Sequence, residues 1–209
     1  MRLRAAVVVV PVLALLTACG EPAVRPFNPG GTAERRADTL VPSSAPTSGE
    51  TVEVATGLSV VFEDALPADP QQAGAIQAFR RNFVDSWKAI VSQGRDETYL
   101  KSVYGEASRA AYESVQSYVS RGRSITGVGR IYHLRITSTT GRSMQLDACV
   151  DETKVRIVDA RTGQPAATQP KWARRPYFQV AVVRLGDDET YRVGAFRHAV
   201  YPDERAKEC

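Results

Sequence analysis

Four regimes of apolar spacing succeed one another along this 209-residue chain. Residues 5–18 form an unbroken run of apolar and small side chains, residues 20–50 carry few apolar side chains, residues 57–121 pass from alternation to helical spacing, and alternation prevails from residue 123. In GLSVVFED, residues 57–64, Leu58, Val60 and Phe62 alternate with Ser59, Val61 and Glu63, which predicts a strand. Asp69 before Pro70 is an N-cap residue followed by proline at the first helical position. Ile76, Phe79, Phe83, Trp87 and Ile90 then recur at helical spacing beside Val84 and Val91, until Gly94 closes the helix and leaves Trp87 on its core face. A less regular helical piece is predicted over residues 96–103. A second full helix covers residues 106–121, with Ala107, Ala111, Val115, Tyr118 and Val119 on one face and Gly122 at its end.

Beyond Gly122 the pattern is that of strands. Over residues 127–138, Tyr132, Leu134 and Ile136 oppose Ile131, His133 and Arg135; over residues 144–151, Met144, Leu146, Ala148 and Val150 oppose Gln145, Asp147, Cys149 and Asp151. A short strand over residues 154–159 precedes the turn-rich ARTGQP, and residues 175–185 and 190–198 face each other across GDDE as a hairpin. Helices first and an antiparallel meander afterwards predict an α+β fold, a single domain over residues 51–209.

The apolar run at the start has a different meaning. Arg2 and Arg4 precede it, which is the layout of an export signal. At about 14 residues, divided by Pro11, it falls short of the roughly 20 that cross about 30 Å of hydrocarbon. Leu16, Thr17, Ala18 and Cys19 resemble the lipobox of bacterial lipoproteins. The resemblance implies that residues 1–18 are a signal peptide and that the Cys19 sulfur receives a diacylglycerol, with a further acyl chain such as palmitate on the new amino terminus. Each buried methylene contributes about 0.8 kcal/mol and a single chain binds only marginally, so two or three chains would moor the protein. A buried helical thiol at Cys19 leaves the following Gly20, Glu21 and Pro22 without a reason. Residues 19–50, rich in Pro, Gly, Ser and Thr, then read as a disordered tether on the order of 30 Å in reach.

Charge adds little. The formal net charge is +4, and removal of Arg2 and Arg4 with the signal leaves +2. The basic residues are scattered and no aromatic and basic stripe forms, so nucleic acid is not an expected partner. They are overwhelmingly Arg, with Lys only at 88, 101, 154, 171 and 207, which suggests a high-GC bacterial source.

The order of elements resembles the NTF2-like cone, also seen in SnoaL-type proteins. GLSVVFED, AIQAFRRNFVDSW, and the stretch from LDACVDETKVRIVDARTGQP to the terminal Cys resemble secreted lipoproteins of actinobacteria. The resemblance covers most of residues 57–209 and implies N-terminal helices packed on a curved antiparallel sheet, with no established activity for the group as a whole. One departure is YRVGAFRH in the last strand, where relatives usually carry a tryptophan.

Candidate chemistry is sparse. Cys149 and Cys209 in an exported domain read as a disulfide, which would stabilise by roughly 4 kcal/mol through closing about 60 residues. The rival is a reactive thiol at Cys149, which would need a neighbouring base. His133 and His198 have no partner at metal-ligand spacing, so neither metal nor cofactor is expected. Cone folds often enclose a pocket, and the resemblance implies proton chemistry there for Asp147, His133 and Tyr132, although alternation groups Asp147 with Gln145 and Asp151 towards solvent. In CVDET, Asp151 suits a bend capped by its own side chain. Trp172 with Lys171, Arg174 and Arg175 forms a cluster of the kind that anchors partners.

The leading expectation is a non-catalytic module, lipid-anchored through Cys19 at the outer face of the cytoplasmic membrane, binding an envelope protein or component. Two alternatives stay open: a carrier of a small apolar ligand in the cavity, and a pocket enzyme using Asp147 or His133.

Overall fold

The structure, a computed structural model, describes residues 49–209, without the side chains of residues 171 and 172. The expected signal, the lipidated Cys19 and nearly all of the tether lie outside the described residues, as does the side chain of Trp172.

Among the described residues six strands and two α-helices follow in the order β1 (Glu50–Ala55), β2 (Leu58–Phe62), α1 (Pro70–Val91), α2 (Glu106–Val119), β3 (Arg123–Thr140), β4 (Ser143–Asp159), β5 (Tyr177–Leu185) and β6 (Tyr191–Ala199). They build one α+β unit, with a sheet whose strands lie side by side in chain order. The sheet is mixed, which corrects the wholly antiparallel expectation: β2 pairs with β3 in parallel, and every other pair is antiparallel. The reason is the connection. Parallel neighbours need a long crossover, and the chain between β2 and β3 holds both α1 and α2.

The expected N-cap forms. The Asp69 carboxylate accepts from the Gln72 amide at 2.8 Å, and Pro70 opens α1. At the other end Gly94, at φ +76°, donates to the Ala89 carbonyl at 2.8 Å. Between these caps Ile76, Phe79, Trp87 and Ile90 are buried against the sheet. Trp87 is only 6% exposed, and Gly129 admits it: a Cβ there would meet the indole at 2.5 Å. The irregular piece before α2 is a 3-10 helix, Thr98–Ser102.

Of the three register shifts between β3 and β4, two decide which residues of the long strands face the core. At His133, with φ +53°, β3 carries one extra residue against β4, and Leu134 joins Ile131 in the core. The expected grouping of Leu134 with Tyr132 is thereby corrected. Asp64 accepts from the Leu134 amide at 2.8 Å, which satisfies a donor that the ladder loses. The second lies on β4, where Val128 opposes Lys154 but Arg130 opposes Asp151. The two strands expected over residues 144–151 and 154–159 are therefore one strand whose inward set moves from Val150 and Glu152 to Val155 and Ile157. Asp151 holds this bulge, accepting from the Thr153 amide at 2.9 Å and its hydroxyl at 2.7 Å, as the bend reading expected.

β1 was absent from the expected elements. Val52 and Val54 alternate with Thr51 and Glu53, but the strand lies at a sheet edge, its apolar side chains only partly buried. Glu50 belongs to this strand, not to the tether.

Cys149 and Cys209 form the disulfide, with Cα atoms 5.4 Å apart. The C-terminal 3-10 helix, Glu204–Glu208, packs against β5, with Ala206 buried and the Tyr132 hydroxyl donating to the Cys209 carbonyl at 2.5 Å.

Candidate functional site: a pocket between helices and sheet

One face of α1 presents Asn82, Phe83, Ser86, Trp87 and Ile90 at the three- and four-residue spacing that aligns side chains on a helix. Opposite them stand Tyr118 of α2, Glu152 of β4, Tyr177 of β5 and His198 of β6, around a cavity of about 350 Å³. Part of its wall is aromatic. Phe83 and Trp87 pack at 5.1 Å between ring centroids, and Phe196 stacks on His198 at 6.0 Å. Asn82 is held in place by donating to the Ser102 hydroxyl at 3.0 Å.

Glu152 is the unusual member. It shares the parity of Met144, Leu146, Ala148 and Val150, so the strand turns its carboxyl inward to 8% exposure. Burial pushes its pKa up to about 7; hydrogen bonding from Tyr177 draws it back, and the charge of Asp151 adds a smaller upward push. The buried Tyr177 hydroxyl is raised well above its usual value, first by burial and then by the charge of Glu152. Tyr118 is raised for the same two reasons, with Arg123 opposing, so both tyrosines stay neutral phenols. His198, in the cavity wall with its ring edge-on to Tyr177 at 5.2 Å, has its pKa lowered by desolvation. Among the described residues no Lys or Arg lines this cavity. Its chemistry is that of one buried acid, neutral hydroxyls and amides, and aromatic faces.

The residues singled out from the sequence lie elsewhere. Asp147 points to the other face of the sheet, accepting from the Gln145 amide at 3.3 Å and the Thr137 hydroxyl at 3.4 Å. His133 is exposed at its bulge, with Nδ1 at 3.9 Å from the Cys149 sulfur. That sulfur is bonded to Cys209, so the reactive-thiol alternative is corrected. Tyr132 donates its hydroxyl to the chain end. Neither Asp147 nor His133 lines this cavity. Arg174 is exposed, and Arg175 lies 4.4 Å over the Tyr201 ring. Sequence reasoning passed over Glu152, Tyr118 and Tyr177 as site residues, although a carboxylate at an inward position of an alternating strand was a visible signal.

Among the described residues no group of three or more His, Cys, Asp and Glu is arranged to hold a metal, and no helix is long and apolar enough to cross a membrane. No protein-family model matches the chain, and no curated protein does. Among solved structures it is similar to a candidate ketosteroid isomerase from Shewanella frigidimarina NCIMB 400, at 11% identity over 63% of this chain and 96% of that one. The TM-score is 0.29, too low to carry an argument.

Proposed function

We propose that this chain is a lipid-anchored, extracytoplasmic binding protein whose domain, an NTF2-like cone, holds a small and mostly apolar ligand between its helices and its sheet. The observation that carries the reading is the cavity of about 350 Å³, in which the apolar faces of Phe83, Trp87, Ile90 and Phe196 stand beside polar side chains that include Asn82, Glu152, Tyr177 and Gln179. Ligand sites commonly span about 300–1,000 Å³ and combine an apolar lining with a small number of placed polar groups. Acyl chains on Cys19 would moor the domain to the outer face of the cytoplasmic membrane, and residues 19–50 would give it reach. Partner docking through Trp172, Arg174 and Arg175 has less support, because Arg175 is already engaged by Tyr201.

Native mass spectrometry of gently purified protein, joined to displacement of an environment-sensitive dye, tests the cavity. Wild type should bind, and Ser117→Trp, which fills the cavity from α2, should lose binding while keeping the wild-type unfolding midpoint. Folded wild type without bound mass or dye would overturn the reading.

A further inference from the structure

We propose that the cavity selects a small organic cation: an amine or ammonium carried on an apolar body, its charge seated against Glu152 and the aromatic faces of Trp87, Phe83 and Tyr118. The inference rests on the ligand-pocket reading and names the ligand class.

Three observations converge on this class. The first is the uncompensated acid. Glu152 is 8% exposed, and among the described residues no salt bridge reaches it. A buried carboxylate is costly unless paired, so a cation entering the cavity would supply a partner that the described residues do not. The second is the wall. Trp87, Phe83, Tyr118 and Phe196 offer electron-rich faces, and such faces attract organic ammonium groups, more strongly when water is excluded. The third is the sign of the surroundings. Among the described residues the lining offers no Lys or Arg to hold an anion, and desolvation lowers the His198 pKa, which disfavours its charged form. A carboxylate or phosphate ligand would meet Glu152 with nothing to offset it.

The titratable groups around Glu152 fix how binding should respond to pH. Tyr177 from β5 and Tyr118 from α2 stay neutral, and α1 contributes only Asn82, Ser86 and apolar side chains. Asp151, the neighbour on β4, raises the Glu152 pKa, while Arg123 of β3 acts on Tyr118. His198 of β6 becomes charged only on the acid side, where it would repel a cation. A cation binds the ionised form of Glu152, so affinity should rise with pH. With that group titrating at about 7, the ionised fraction grows roughly tenfold between about pH 6 and about pH 8.

The test measures binding of three benzyl compounds to the folded protein by calorimetry at both pH values: benzyltrimethylammonium, whose charge does not titrate, benzyl alcohol and phenylacetate. The expected result is preference for the ammonium, an affinity gain of roughly tenfold from about pH 6 to about pH 8, and proton release on binding near neutrality. Glu152→Gln should abolish both the preference and the pH response while still binding benzyl alcohol, which assigns the response to Glu152 and not to His198. If that variant does not fold, Tyr177→Phe provides the second measurement: without the hydroxyl that lowers the Glu152 pKa, the pH midpoint should move upward. Equal binding of all three compounds, or affinity falling with pH, would overturn the cation inference and leave the pocket standing. Failure of all three to bind would overturn both.

Discussion

Replacing Glu152 by Gln should make the protein more stable at about pH 8 and leave it nearly unchanged at about pH 4. Glutamine keeps the shape and polarity of the side chain but has no charge to bury. In the folded protein the Glu152 pKa stands at about 7 against an ordinary 4.5, chiefly through burial. A carboxyl raised on folding binds its proton more tightly in the native state. Its contribution is therefore fully present below the unfolded pKa and is lost as pH rises through the folded one. The window is about pH 4.5 to 7, and a shift of about 2.5 units corresponds to about 3 kcal/mol. With a urea dependence of about 1–3 kcal/mol per molar, the midpoint of Glu152→Gln should exceed wild type by about 1–3 M at about pH 8. His198 works in the opposite direction: its lowered pKa makes folding less favourable as pH falls through its ordinary value. It is present in both proteins, so the difference between variant and wild type isolates the carboxyl. Urea titrations monitored by tryptophan fluorescence at the two pH values give that difference. A midpoint for the variant equal to wild type at both would refute the claim that a desolvated Glu152 sets this part of the pH dependence.

Two further outcomes are expected. Cys149→Ser opens a disulfide that spans 60 residues, and the chain-entropy account puts the loss at about 4 kcal/mol, read as a lower thermal midpoint of the oxidised protein. An unchanged midpoint would mean that the C-terminal helix holds equally well without the bond. Cys19→Ser in the full chain should move the product from the detergent phase to the aqueous phase, because the acyl chains would have no sulfur to receive them; continued partition into detergent would remove the lipobox reading.

The elements that were legible in the sequence are those whose signals are local. α1 combines an N-cap, a proline, a helical apolar stripe and a closing glycine, and all four agree with its observed limits. The long strands were legible as alternation but not in phase. At His133 the backbone enters the left-handed region on a residue that gives no glycine-like cue, and the inward set shifts by one position there. Pair direction was hidden for another reason. Alternation reports which face is buried, not which way the neighbouring strand runs, so the parallel pairing of β2 and β3 followed only from the two helices between them. Glu152 was readable by parity alone, whereas its closeness to Tyr118 and Tyr177 depends on strands and a helix meeting in space.

The buried acid also ties stability to occupancy. A structural core position would be better filled by a residue without charge, since an unpaired buried carboxylate works against folding. Here that residue lines the cavity, among neutral hydroxyls and aromatic side chains, where a bound ligand would displace water. Whatever pairs with Glu152 recovers part of the folding energy that its ionisation removes, and the recovery grows over the same pH window in which the empty protein weakens. Stabilisation by a cation and destabilisation by pH are thus two readings of one proton, so the Glu152→Gln variant should uncouple both at once.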